Sequence, residues 1–239
     1  MSMTTAQSTT KRKVQTALKR WKGGLDAELL PLFRDFAKES LERLRGPFLA
    51  HYPPRQILQY LEEAFLFALQ RSGNAPKVQL VERQNKGIAV FSSMTDQPFI
   101  VDTVRLFLKK HRANYWGGFN LVFRARRDES GRLIALGEDD AAIESLLMHE
   151  ADGGRLQDNW DLALADLQRA LTLSQAMVKD FRPMTRTCER LAERCEVIAE
   201  REPDHAQAMR ETADFLKWLL RENFVFMGAH DGVDAYGFQ

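Results

Sequence analysis

Few places in this 239-residue chain combine residue types that could do chemistry. The strongest is Ser92-Ser93-Met94-Thr95-Asp96-Gln97, read as a loop between a strand and the helix that follows it. Backbone N–H groups exposed at a helix start suit a carboxylate, and Ser92, Thr95 and Gln97 add side-chain hydrogen bonds. Asp96 is the expected capping residue there, and capping with no ligand is the simpler account of the same residues. His149-Glu150 ends a strand and His111 ends a helix, a position where histidine more often offsets the helix dipole than catalyses. Asp96 and Asp102 stand six apart on or near a helix and point to different sides, so they do not form a working carboxylate pair. Arg124, Arg126, Arg127 and Arg132, near Phe119 and Phe123, have the residue types of an RNA-binding sheet. Without a glycine-aromatic pattern they read as a solvated strand face.

The chemistry that is missing is as informative. A dinucleotide site needs GxGxxG between a strand and a helix, and Gly23-Gly24, Gly117-Gly118 and Gly153-Gly154 each lack the third glycine. P-loop, HExxH and GxSxG patterns do not occur. His51, His205 and His230 have no ligand spacing. Cys188 and Cys195 lie seven apart in a helical pattern, about 10 Å along the axis, which excludes a helical disulfide by reach. With no CxxC there is no zinc site, and free thiols in a reducing cytoplasm are the simplest account. No catalytic, cofactor-binding or metal-ligating residue is therefore assigned.

Thirty-four basic and 33 acidic residues leave a net charge of +1, so no general attraction to nucleic acid or anionic lipid is expected. The apolar fraction of 44% is that of a globular protein. No apolar run reaches membrane-spanning length: Ala64 to Leu69 is flanked by Glu62, Glu63, Gln70 and Arg71. A soluble protein with no membrane partner is expected.

These candidates need elements to position them. Residues 1–25 are basic and free of acids, with Met1 to Thr10 composed like a disordered end. They resemble a transit peptide faintly, and a flexible tail running into a basic helix with Val14, Leu18 and Trp21 on one side more simply. Residues 26–73 read as a helical layer, with helices over Asp26 to Arg45 and Arg55 to Arg71 separated by Pro47 and Pro53-Pro54. From 74 to 180 the pattern changes: strands around Val78 and Leu80 and over Ile88 to Phe91, a helix opened by Asp96 and Pro98, a strand over Asn120 to Arg127, the turn Asp128 to Gly131, a strand at Leu133, Ile134 and Leu136, and another over Ile143 to His149. A helical stripe through Trp160, Leu164, Leu167, Leu171 and Met177 can cover one face of the sheet. Asp180 and Pro183 start a helical connector over 181–222, broken at Glu202-Pro203-Asp204, and 223–239 opens with an apolar strand, Asn223 to Gly228. The order implies an α+β fold, a small sheet with helices on one face, plus the helical N-terminal layer and C-terminal helices.

Several segments point to a family. QPFIVDTV resembles the "PFLVDSV" helix start, ESLLMHEAD the "ES…EID" strand, and NFVFMG, after a helix bearing Trp218, the "HFTFLG" strand of the amino-terminal region of large bacterial NAD-specific glutamate dehydrogenases. The similarity runs from about Arg55 to Gly228. Asn223 replaces the family's histidine, and Gly153-Gly154 follows the acidic strand end. The resemblance implies an ACT-like, ferredoxin-like domain over 74–180, whose amino-acid effector would sit at Ser92, Thr95, Asp96 and Gln97. It implies a regulatory and assembly segment of an oligomer, with the remaining domains as partners. NAD and the conversion of L-glutamate to 2-oxoglutarate and ammonia would belong to the full-length enzyme, with no cofactor in this segment. A stand-alone ACT-like module that senses an amino acid or binds a protein is the alternative.

Overall fold

The apolar spacing of the first third is realised as helices. In the computed structural model, which describes residues 5–44, 46–230 and 234–238, these are α1 (Thr5–Leu18), α2 (Leu30–Arg43), α3 (Gly46–His51) and α4 (Pro54–Leu69). Pro31 and Pro54 stand in the first turns of α2 and α4, where no intrahelical N–H is required. Phe33, Phe36, Ala37 and Leu41 of α2 and Ile57, Leu58, Leu61 and Phe65 of α4 are buried at helical spacing. Phe33 and Phe36 both meet the Phe65 ring, at 5.5 and 5.6 Å between centroids. Where a flexible tail is the expectation, α1 buries Val14 and Leu18, and that burial gives the basic helix its place. Residues 1–4 of the expected disordered end lie outside the described residues.

The sheet is antiparallel and five-stranded: β1 (Lys77–Glu82), β2 (Gly87–Thr95), β3 (Tyr115–Arg127), β4 (Leu133–Leu136) and β5 (Ala142–Asp152), in the order β1-β2-β5-β3-β4. A helix, α5 (Ile100–Lys110), joins β2 to β3, and β5 runs antiparallel between them. This split β-α-β unit is the ferredoxin-like element within an α+β fold. The β3–β4 turn forms as read: Asp128 Oδ1 accepts the N–H groups of Ser130 and Arg132 at 2.9 and 3.0 Å. Gly131 there has φ 84°, and a Cβ on it would lie 2.3 Å from the Arg71 carbonyl oxygen.

Alternation sorts the sheet into two faces. Ala89, Phe91, Phe119, Leu121, Phe123, Leu146 and Met148 share one core with α1–α4, with Phe36 on Phe123 at 5.7 Å and Phe48 on Phe119 at 5.2 Å. Ile88, Val90, Leu147 and Ala151 are buried on the other face. The buried stripe Ile100, Val104, Phe107 and Leu108 of α5 faces that side, joined by Ala163 and Leu167 of the long helix α6 (Trp160–Arg201).

Three segments differ from the sequence expectations. β2 does not end at Phe91: it continues through Ser92, Ser93 and Met94 to Thr95 because both edges are hydrogen-bonded, to β1 and β5, and the ladder overrides the polar side chains. Pro98 precedes α5 instead of opening it, since Phe99 takes a left-handed φ of 72° and the helix begins at Ile100. α6 is continuous for 42 residues through Pro183, where a restart is expected. Proline there removes one hydrogen bond, but the buried stripe Met184, Cys188, Ala192 and Ala199 keeps helical spacing beyond it.

Contacts divide the chain into Met1–Ala170 and Leu171–Gln239. In the second unit the later part of α6 accompanies α7 (Ala206–Trp218), with Cys188 Sγ 3.7 Å from the Leu216 carbonyl oxygen and Lys217 paired with Glu196. Both cysteines are free thiols. Phe224 to Met227 is not a strand; pairing begins at Gly228, in a hairpin of β6 (Gly228–His230) and β7 (Ala235–Gly237).

In the first unit one carboxylate ties the helical layer to the sheet. Glu144 of β5, 1% exposed, accepts hydrogen bonds from Arg71 Nη2 at 2.8 Å and from Arg127 Nε and Nη2 at 2.7 and 2.8 Å. Burial alone would raise its pKa, and the two guanidiniums reverse that and hold it below the ordinary carboxylate value. Glu144→Gln removes the countercharge from two buried cations. It is expected to cost about 3–5 kcal/mol, read as a lowered urea midpoint at pH 7; an unchanged midpoint would refute this role.

Candidate functional site

Glu150 occupies the same face of β5 as Glu144, six residues on, with Leu146 and Met148 between them. Its surroundings are open where those of Glu144 are closed. A cavity of about 730 Å³ adjoins Glu150, with walls from α3, α4, β1 and β3. Tyr52, just past α3, donates its hydroxyl to Glu150 Oε2. Arg83, at the end of β1, donates from both Nη atoms to Glu63 of α4 and lays its guanidinium over the Tyr60 ring at 5.5 Å. Arg83 Nε lies 3.6 Å from Glu150 Oε1, and this buried N–H has no hydrogen-bond partner. Gln56 Nε2 donates to the Tyr60 hydroxyl at 2.9 Å, and the Tyr52 and Tyr60 rings meet edge-on at 5.0 Å.

A bulge places the remaining aromatic wall. The β3–β5 register slips between Tyr115 and Gly117, leaving Trp116 as the extra residue. Tyr115 therefore turns to His149 on the far face, at 4.8 Å, while Trp116 lines the cavity. A glycine makes room for it: a Cβ on Gly87 would stand 2.8 Å from the Trp116 ring.

The two phenols of the cavity are held protonated. Burial first, then the hydrogen bond and charge of Glu150, push the Tyr52 phenol well above its ordinary pKa and Tyr60 up to about 12. Both stay protonated at neutral pH, so neither serves as a base there. No group of three or more His, Cys, Asp or Glu side chains among the described residues could hold a metal ion.

The residues singled out from sequence are dispersed. Ser92 is buried in β2 on the face opposite Glu150; Thr95 ends that strand, exposed; Asp96 and Gln97 lie in the irregular link before the Pro98-Phe99 turn that leads into α5. None of the four lines the Glu150 cavity. Asp96 does not cap α5, which has no side-chain cap, and burial raises its pKa. His111 follows α5, with Nε2 3.0 Å from Asp166 Oδ2. Arg127 belongs to the Glu144 cluster, Arg126 pairs with Glu138 at 2.9 Å, and Arg124 donates to the Asp139 carbonyl at 2.9 Å. Neighbours on a strand point opposite ways, so His149 and Glu150 do not act together. The Tyr52–Glu150 contact spans 98 positions, beyond the reach of any local motif. Among the described residues no helix is long and apolar enough to cross a membrane.

With its split β-α-β unit and flanking helical layer, the first unit is of a recognised class. Residues 36–163, more than half of the chain, match the family model for the glutamate dehydrogenase ACT1 domain, and the chain belongs to that family. It is 31% identical over 176 residues to an NAD-specific glutamate dehydrogenase from Halomonas elongata, an alignment covering 68% of this chain and 11% of that protein. The chain thus spans about a tenth of the length of the curated relative it matches.

His149 supplies a pH test of the sheet's far face. Its Nδ1 is buried without a partner, and burial, then the Arg105 charge, push its pKa down to about 4. An unfolded histidine titrates near about 6.5. Above that value His149 contributes nothing to pH dependence; below it the unfolded chain takes up a proton that the folded chain refuses, and stability falls toward pH 4. From pH 7.5 to pH 5 this loss is about 2 kcal/mol. Urea denaturation of the His149→Gln variant is expected to show a drop smaller by that amount, and equal drops would refute the assignment.

Proposed function

We propose that this chain is the amino-terminal regulatory and assembly segment of an NAD-specific glutamate dehydrogenase. The enzyme's reaction, L-glutamate, NAD and water to 2-oxoglutarate, ammonia and NADH, would be carried by residues outside these 239, in a cytoplasmic oligomer. The family match over residues 36–163, together with an alignment that covers 11% of the relative, supports the placement. The observation that supports the regulatory half is the Glu150 cavity, whose aromatic walls, convergent charged groups and phenols of shifted pKa suit a bound ligand. The link at Thr95, Asp96 and Gln97 is the competing effector location, and Ser92 stands apart from it inside β2. For assembly, Phe215, Trp218, Phe224, Val225 and Met227 of the second unit are about half exposed and suit a protein surface better than water.

Two measurements test this. The native polypeptide carrying this sequence is expected to have an intact mass several times 27.4 kDa; a mass near that value would refute the placement. The purified 239-residue chain is expected to form no NADH from glutamate and NAD, and glutamate-dependent NADH formation would overturn the non-catalytic reading.

A further inference from the structure

We propose that the basic face of α1 docks on an acidic stripe of α6 in a second copy of this chain. The proposal rests on the reading of the chain as an assembly segment and names one contact by which copies meet. Residues 1–25 hold six of the 34 basic residues and none of the 33 acidic ones, which leaves the rest of the chain acidic, with 28 basic residues against 33 acidic. Arg12, Lys13, Lys19, Arg20 and Lys22 are exposed, and among the described residues none of the five has an ion-pair partner.

Helical spacing gathers these cations on one side. Arg12 and Lys13 face away from the buried Val14 and Leu18, and Lys19 and Arg20 continue their face in the turn that closes α1, where the Arg20 N–H donates to the Ala17 carbonyl at 3.1 Å. Glu62 reaches this segment from α4, but it accepts from the Trp21 indole and from the Gly24 N–H and so neutralises none of the five. The apolar side of α1 is already buried in the protein, which removes the insertion that would hold a basic helix on a membrane. Trp21 is the sole aromatic residue from Thr5 to Leu25 and is tied to Glu62, so no stacking platform accompanies the cations, and the acidic remainder of the chain repels a long polyanion. A protein surface bearing carboxylates is the fitting partner.

The chain itself carries such a surface. Glu189, Glu193, Glu196 and Glu200 recur at helical spacing along α6, and all four are exposed. Glu196 is paired with Lys217; among the described residues the other three have no ion-pair partner. Arg190 and Arg194 stand about 100° round the helix from Glu189 and Glu193, and Arg182 and Arg186 precede the acidic run and bound it. The cations from Arg12 to Arg20 span about 12 Å and the glutamates about 16 Å, so two helices laid side by side pair several charges at once. One exposed ion pair contributes little, and a two-fold dimer makes the whole contact twice.

The test is sedimentation velocity on the full polypeptide that carries this sequence, over a range of concentrations and salt. Self-association is expected to weaken as salt is added. The paired reversal Lys13→Glu with Lys19→Glu is expected to weaken it tenfold or more, as is Glu193→Lys with Glu200→Lys, and all four changes together are expected to restore it to within about threefold of the unaltered chain. Every one of these side chains is exposed, so folding is not at stake, and Lys109→Glu on α5 serves as the control that changes nothing. In the cross-linked species of doubled mass, a carbodiimide is expected to join Lys13 or Lys19 to Glu189, Glu193 or Glu200. Association that is indifferent to the reversals, or that the four changes together do not restore, would overturn this contact and leave the assembly reading standing. A polypeptide that sediments as a single copy throughout would overturn both. Loss of binding to an oligonucleotide or to phosphatidylserine vesicles on Lys13→Glu with Lys19→Glu, without loss of self-association, would assign the face to another partner and overturn the proposal.

Discussion

The first unit depends on one buried ion cluster. Glu144 collects Arg71 from the end of α4 and Arg127 from β3, and Arg127 reaches on to the carbonyl oxygens of Ala68, at 2.9 Å, and Gly131. Lys77 joins from β1, donating to the Phe67 and Gln70 carbonyls at 2.6 and 2.8 Å and standing 4.6 Å above the Phe67 ring. The C-terminal carbonyls of α4, left without intrahelical donors, are thus satisfied by cations from the sheet, the favoured sign at that end of the dipole. Burial and then the Arg127 charge lower the Lys77 pKa. Helix, hairpin and central strand are fixed together, and the layer can lie on the sheet in one register only.

That fixed corner explains why the other end of β5 can stay open. Glu144 and Glu150 share a residue type, a strand and a face, with Leu146 and Met148 packed between them into the common core. At Glu144 the carboxylate oxygens receive three hydrogen bonds from guanidiniums; at Glu150 the neighbours are the phenols of Tyr52 and Tyr60 and an Arg83 Nε held at 3.6 Å. Had both ends been open, the apolar contact between them would carry the whole association of layer and sheet. A closed cluster at one end lets the other keep a cavity beside a buried carboxylate.

Much of the scaffold was legible in the chain, because its rules are local. Pro31, Pro54, the 3–4 spacing of Phe33, Phe36, Ala37 and Leu41, and the Asp128 to Gly131 turn each encode their element within a few residues. Ser92 to Thr95 misled because hydrogen bonding on both sides of β2 outweighs the loop-like side chains. The α6 helix misled because a stripe of buried residues outweighs Pro183. The cavity was not legible: Tyr52, Arg83, Trp116 and Glu150 come from four separate segments, and Trp116 reaches it through a bulge that inverts the alternation a strand would otherwise impose. Glu150 itself drew notice beside His149, but the pleat sends the pair to opposite faces.

The origin of the cavity walls bears on how occupancy could be felt elsewhere. Tyr52, Tyr60 and Glu63 belong to the helical layer; Arg83, Trp116 and Glu150 belong to the sheet. The Tyr52–Glu150 and Arg83–Glu63 contacts therefore cross the junction between the two, and any group that competed for Glu150 or Glu63 would alter the free energy of that junction directly. The coupling is limited by the differential affinity of the ligand for the two arrangements.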